Sequence, residues 1–276
     1  MPNNITNIVE FTGPNAHEAF MGCINKEGLF DFNEVIVVPK DLDIPASSRI
    51  EGLAAALRGE VPVWSKESCP NKLLQSIKEQ AGRQYKAELK LAKQRNRNIE
   101  KYGFPNWYEA NRNVWGTKWN AYSQLLPFDK YPSEQRCRIT QHKWGNKEHK
   151  TAYAKRVIKK WLKREKVTRI QFDTAWSTPK GVWEALLHKL PEGVKVDLKY
   201  ADEDLGSNCG HIIFSKEGVE HVDVAAPWTS MSAEDRQKWT KYAFHIRHGQ
   251  DAKPQDWDMN DQYEYVDDID MQESAA

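Results

Sequence analysis

Two strand–helix–strand patterns stand at opposite ends of this chain, one before residue 40 and one after residue 166, with a lysine-rich interval between them. This arrangement constrains the fold most, because the two halves are expected to complete one sheet across the interval. In the first half, Asn7–Thr12 alternates polar and apolar residues and stops at Gly13-Pro14, the pattern of a strand ended by a turn. Ala16, Ala19, Phe20, Cys23 and Ile24 then recur at helical spacing, with Asn15 placed to cap the helix and Gly28 to end it. Phe30–Val38 supplies the β-branched and aromatic residues of a second strand, closed by Pro39.

The second half repeats the logic. Val167–Phe172 reads as a strand, and Ser177 or Thr178 with Pro179 reads as the start of a helix. Val182, Trp183, Leu186, Leu187 and Leu190 form that helix's buried stripe, which Pro191 and Gly193 terminate. Val194–Tyr200 alternates as a strand, and His211–Phe214 with Val219–Val224 flank a hairpin turn at 215–218. The order β-α-β, long helical insertion, β-α-β-β predicts an α+β protein with a ferredoxin-like split βαβ sheet. Residues 1–40 and 167–226 would form that domain, 41–166 a basic and mainly helical insertion, and 227–276 a C-terminal extension with an acidic tail from about 251.

Within the insertion, Pro45, Pro62 and Pro70 mark 40–70 as connection, apart from a short helix near Leu53–Leu57. One long helix is expected over 71–102, since Leu73, Ile77, Ala81, Tyr85 and Leu89 recur every fourth residue. A second basic helix over 147–166 carries Lys155, Arg156, Lys159 and Lys160 beside an apolar stripe that includes Val157, Trp161 and Leu162. The overall charge of +1 hides a strong separation: 66–169 holds 26 Lys and Arg against 9 Asp and Glu, whereas 251–276 holds nine acids and one lysine. Such a division suits a basic surface that meets a polyanion, or basic and acidic halves that pack on each other. Beyond Asp251 the sequence lacks a clear apolar period and is expected to be a mobile tail unless Tyr263, Tyr265, Val266 and Ile269 anchor it.

Other classes are set aside. No stretch approaches the ~20 apolar residues of a membrane span, and the opening residues lack the plan of a signal peptide. Cys23, Cys69, Cys137 and Cys209 show no paired spacing, which fits a reducing cytoplasm better than disulfides or a zinc knuckle. The phosphate-loop, zinc-protease, nucleophile-elbow and dinucleotide motifs are all missing, and neither cofactor nor metal is expected.

Three local constellations remain. In Trp115-Gly-Thr-Lys-Trp-Asn120, Trp115 and Trp119 flank a glycine turn that leaves Lys118 and Asn120 at the corner. They either stack a base or ring with Lys118 on a phosphate, or pack a sheet against a helix. In Phe172-Asp-Thr-Ala-Trp-Ser-Thr-Pro179 a strand feeds a helix start, and Trp176 is either a contact residue or core. In Tyr200–His211, Asp202, Glu203 and Asp204 stand in a loop that either holds a hard cation or bends the chain between strands. No catalytic residue is assigned; His17 and His211 are candidates for general acid–base chemistry, and His211, at a strand start, is either such a base or merely hydrogen-bonded.

In that order, Trp115-Gly-Thr-Lys-Trp-Asn-Ala-Tyr122, Phe172–Pro179 and Tyr200–Gly206 resemble the YubB-type ferredoxin-like family of phages and conjugative plasmids. The opening Met1-Pro-Asn-Asn-Ile with Asn7 and Gly13-Pro14 is similar too, as is the run from Phe32 to Pro39. The resemblance implies a ferredoxin-like domain in a mobile-element accessory protein and carries no activity with it. The leading expectation is a non-enzymatic, cytoplasmic protein that binds a host protein or complex, in the manner of a counter-defence factor. A second is a nucleic-acid binder using the insertion helices and tryptophan stacking. A third is a metal-independent ferredoxin-like ribonuclease using His17 or His211.

Overall fold

The computed structural model describes residues 3–125 and 159–266. Along the chain run β1 (Asn4–Thr12), α1 (Ala16–Gly22), α2 (Phe32–Val35), α3 (Ser48–Leu57), α4 (Pro70–Ala81), α5 (Tyr85–Tyr102), α6 (Trp107–Val114), β2 (Tyr122–Leu125), β3 (Arg169–Ala175), α7 (Lys180–Leu187), β4 (Lys195–Asp202), β5 (Gly210–Ser215), β6 (Gly218–Val224) and α8 (Ala233–His248). Two compact units result. One joins the chain up to Ile36 with Gly116 onward, and the other is Val37–Trp115. The sequence places this break differently, at 41 and 166. Among the described residues, no helix is long and apolar enough to cross a membrane.

The first unit is built on a six-stranded sheet of order β2-β3-β1-β4-β5-β6. β1 runs antiparallel to both β3 and β4, so the β3–α7–β4 crossover straddles it, which is the split βαβ plan. Period-two alternation gives β1 two faces. Phe11 meets Phe20 of α1 edge-on at 5.7 Å, and Trp183 of α7 lies 6.2 Å from Phe172 and 6.4 Å from Phe214, so α1 and α7 cover one face. Ile8, of opposite parity, packs with Ala201, Cys209, Trp239, Ala243 and Ile246 under α8 on the other. At the turn where β1 ends, Gly13 has φ +93° and a Cβ there would lie 2.1 Å from the Gly193 carbonyl oxygen, so only glycine fits.

Several elements depart from the sequence pattern. The strand expected over Phe30–Val38 is absent; Phe32–Val35 is the short helix α2, with the Asp31 side chain accepting from the Asn33 N–H at its start, and Val37 is exposed. The strand beside β3 is instead β2, immediately after the tryptophan-rich string. Phe30 and Phe32 bury against Phe172 at 5.1 and 5.9 Å, and this aromatic cluster holds their segment down without strand pairing. Asn15 takes the left-handed conformation (φ 61°) and makes no side-chain cap.

In the Val37–Trp115 unit the expected long helix is two helices, α4 and α5, broken at Gly82 (φ 51°, ψ −120°). Spacing by fours drifts about 40° per step on a 3.6-residue helix. A straight helix would carry Tyr85 and Leu89 off the stripe begun by Leu73 and Ile77. The break lets Leu73, Ile77 and Ala92 share one core with Ile50, Leu53, Ala54 and Ala56 of α3. Residues 40–70 thus supply the centre of this unit through α3 and are more than a connection.

After α8 the chain also folds back. Pro254–Trp257 forms a 3-10 turn, Met259 and Tyr265 form an isolated bridge, and Met259 is buried. Tyr263 meets His245 and Phe244, and Trp257 meets His248, so the acidic extension is anchored up to 266. Of the basic helix expected at 147–166, residues 159–164 are helical; Lys155 and Arg156, like 267–276, lie outside the described residues.

Candidate binding site at one end of the sheet

The start of β1 and the ends of β3 and β4 meet at one edge of the sheet, since Asn4 pairs with Ala175 and Ile5 with Asp202. β2 enters at the same end, with Tyr122 opposite Asp173. The sheet register therefore brings together the three constellations that the sequence spreads between residues 115 and 211.

Hydrogen bonds lock the junction. The Thr117 hydroxyl donates to the Ala175 carbonyl at 2.7 Å and the Ser177 hydroxyl donates to the Gly116 carbonyl. Gly116 has φ +79°, and a Cβ on it would come within 3.1 Å of the Lys180 amide nitrogen. Trp176 is held in the left-handed region, φ 73°, where a bulky side chain is an outlier. Its N–H donates to the Asn3 carbonyl at 2.9 Å, and the Asn208 side chain donates to its carbonyl at 3.0 Å.

The side chains that emerge are aromatic and cationic. The Lys118 ammonium lies 4.7 Å from the ring centre of Trp119 and 4.9 Å from that of Trp176. The two indoles remain 38% and 40% exposed. Tyr122 stands edge-on to Trp119 at 5.8 Å and donates to the Thr174 carbonyl and the Asn4 side chain. Burial, assisted by the Asp173 and Glu203 carboxylates, pushes the Tyr122 phenol up to about 12, so it stays a donor well into the alkaline range.

The acidic loop completes the rim. Asp202 is buried and accepts from the Asn3 and Asn208 side chains and from the Asp204 N–H, at 2.9–3.1 Å. Glu203 and Asp204 are exposed, and Glu203 accepts from the Asn4 side chain at 2.7 Å. Among the described residues, no group of three or more His, Cys, Asp or Glu is placed to hold a metal ion.

Lys118, Trp119, Trp176, Asp202, Glu203 and Asp204 therefore gather at one place. Trp115 falls in the other unit and is buried. Asn120 is turned inward, donating to Asp31 at 2.7 Å and accepting from the Phe32 and Ala121 N–H groups at 3.0 and 2.9 Å. Lys159 reaches the Asn25 carbonyl at 3.4 Å, and Lys160 is exposed on the 159–164 helix. Asn3, Asn4, Tyr122 and Asn208 join the gathered residues at the site, although the sequence did not single them out as contact residues. Asn3, Asn4 and Tyr122 fell within the strings of the family resemblance, and Asn208 within the acidic loop that could hold a cation.

The two histidines are separated. His17, on α1, pairs through Nδ1 with the Val167 carbonyl at 2.9 Å. His211 projects on the α8 face, where its Nε2 lies 2.9 Å from an Asp197 oxygen and its ring 4.9 Å from that of His221. They lie on opposite faces of the sheet.

Residues 159–244 match the family model described as the ferredoxin-like domain in Api92-like protein. Among solved structures, the chain is similar to the crystal structure of a protein Api92 from Yersinia pseudotuberculosis. That likeness has 10% identity and a TM-score of 0.34, over 83% of this chain and 100% of that one. No protein curated for function matches the sequence. The chain carries a ferredoxin-like domain similar to that of Api92-like proteins.

Proposed function

We propose that this protein is a non-catalytic binding protein that docks a host protein through the Lys118–Trp119–Trp176 end of its sheet. The observation that carries the reading is Trp176. A bulky residue at φ 73° stores roughly 1–3 kcal/mol of strain, and such outliers cluster at functional sites. Here the strain leaves the indole 40% exposed beside a second exposed tryptophan. Exposed tryptophans rimmed by polar residues are the usual anchors of protein interfaces. The resemblance of the three strings to YubB-type proteins supports a phage or plasmid accessory role, of which counter-defence in the host cytoplasm is one form. Affinity capture from host cells with mass spectrometry, in parallel with nuclease treatment, tests it. A host protein should be retained by the native chain despite nuclease and lost with Trp119→Ala/Trp176→Ala. Equal recovery by both chains would overturn it.

A second reading, nucleic-acid binding, is favoured by α4 and α5, which expose Lys72, Lys78, Lys86, Lys90, Lys93, Arg97 and Lys101. The same two helices carry only three acids, Glu79, Glu88 and Glu100, and Glu88 is engaged by Arg49 at 2.5 Å. This reading predicts mobility shifts of single-stranded or duplex probes at low salt that fade steeply as salt rises.

A further inference from the structure

We infer that Lys118 is an internal stand-in for a cationic side chain of the partner, so that the slot between Trp119 and Trp176 recognises an arginine or lysine of a basic peptide segment. The inference rests on the reading of the sheet end as a docking surface and names what that surface selects. An indole face attracts cations, most strongly where water is partly excluded. The Lys118 ammonium, at 4.7 and 4.9 Å from the two ring centres, shows that the slot accepts a cation between two such faces.

The rim favours a positive ligand as well. Glu203 and Asp204 are exposed, and Glu203 is tied through Asn4 to Tyr122, which packs on Trp119. On the other side Asn208 links the Trp176 carbonyl to the Asp202 carboxylate. A phosphate entering here would meet these carboxylates, whereas a guanidinium would pair with them. Guanidinium is also planar and less strongly hydrated than ammonium, so it stacks on indole better than the resident lysine does. Lys118 then acts as a tethered competitor that lowers the fraction of empty slots and hence the apparent affinity.

The sign of one substitution decides the matter. If Lys118 competes with the ligand, Lys118→Met should tighten binding; if it contacts a phosphate, the same change should weaken binding. The probe is a fluorescein-labelled Gly/Ser peptide carrying several arginines, followed by anisotropy at low salt, with a matched peptide carrying neutral citrulline. The arginine peptide is expected to bind and the citrulline peptide to fail. Lys118→Met should tighten binding about fivefold or more, and Glu203→Gln/Asp204→Asn should weaken it severalfold. Trp176→Ala should abolish it, and Trp119→Ala, which leaves the φ 73° corner alone, should give the same loss, with circular dichroism and the melting temperature of each variant checking that the chain still folds.

Equal binding of the citrulline peptide, or weaker binding after Lys118→Met, overturns the inference. So does a phosphorylated oligonucleotide that binds through the same tryptophans and is weakened by Lys118→Met. A host protein captured through Trp119 and Trp176 without any affinity for the arginine peptide removes the cation slot and leaves the docking surface standing. Insensitivity of both capture and peptide binding to the tryptophan variants removes both.

Discussion

The side chain of Gln124 serves Phe30 as a neighbouring strand would: its amide accepts from the Phe30 N–H at 2.9 Å and donates to the Phe30 carbonyl at 2.8 Å. One residue of β2 thus satisfies both backbone groups of a segment that never becomes a strand. A buried backbone group left without a partner costs about 1–3 kcal/mol. Gln124→Ala is therefore expected to lower the unfolding free energy by roughly that amount in urea titration. Gln124→Glu, which retains the acceptor but not the donor, should fall between.

Asn120 connects the tryptophan-rich string to the same segment. Burial of Asp31 opposes its charged form, but hydrogen bonds from Asn25, Asn120 and Asn33 outweigh that and hold the carboxyl below its ordinary value. A depressed carboxylate contributes stability above its unfolded pKa and loses it as the pH falls through the folded one. Asn120→Ala should destabilise the chain by about 1–3 kcal/mol at pH 7. The difference from the native chain should shrink below about pH 4, as Asp31 protonates in both. Chemical denaturation at a series of pH values reads this directly, and a pH-independent difference would refute the linkage.

The thiols should differ sharply in reactivity. Burial pushes both Cys23 and Cys209 up to about 12, opposed at Cys23 by the Lys189 charge and assisted at Cys209 by the Asp202 and Asp223 carboxylates, whereas Cys69 is half-buried. Only the thiolate is nucleophilic, so labelling at pH 8 followed by peptide mapping should find Cys69 modified well before Cys23 or Cys209. Rapid native-state labelling of Cys209 would contradict its place beneath α8.

What the sequence made legible follows from the range of the interaction concerned. Period-two alternation marked β1, β3 and β4, and helical spacing marked α1 and α7, because each depends on neighbours a few residues away. Phe30–Val38 misled because its β-branched residues carry a strand's local signature, while the stacking of Phe30 on Phe172 and its pairing with Gln124 are long-range facts. Gly82 was visible as a residue, but its role required knowing that α3 would fill the angle between α4 and α5. At the candidate site the residue types were visible and the geometry was hidden. Nothing local places Lys118 against Trp176, a contact made only when β2 and β3 pair, and Asn120 differs from its neighbour Trp119 by which side of the chain it leaves.

The folded-back acidic extension gives the last prediction. His248 packs its ring 3.6 Å from that of Trp257 and 4.8 Å from that of Phe244, and His245 meets the Tyr263 hydroxyl at 2.8 Å. Loss of solvent around His248, and secondarily the charge of Arg247, lower its pKa below 6.5. The folded state thus prefers the neutral ring, so the unfolded state binds more protons in the window between the two pKa values. This contribution is complete above pH 6.5 and is lost as the pH falls through the lowered value. Hydrogen exchange across residues 254–266 should accelerate as the pH falls below 6.5, after correction for the intrinsic rate, as protonation weakens the contact with Trp257. His248→Phe keeps a ring against Trp257 but cannot titrate, and should flatten that dependence. If the acceleration persists in the variant, the titrating group lies elsewhere.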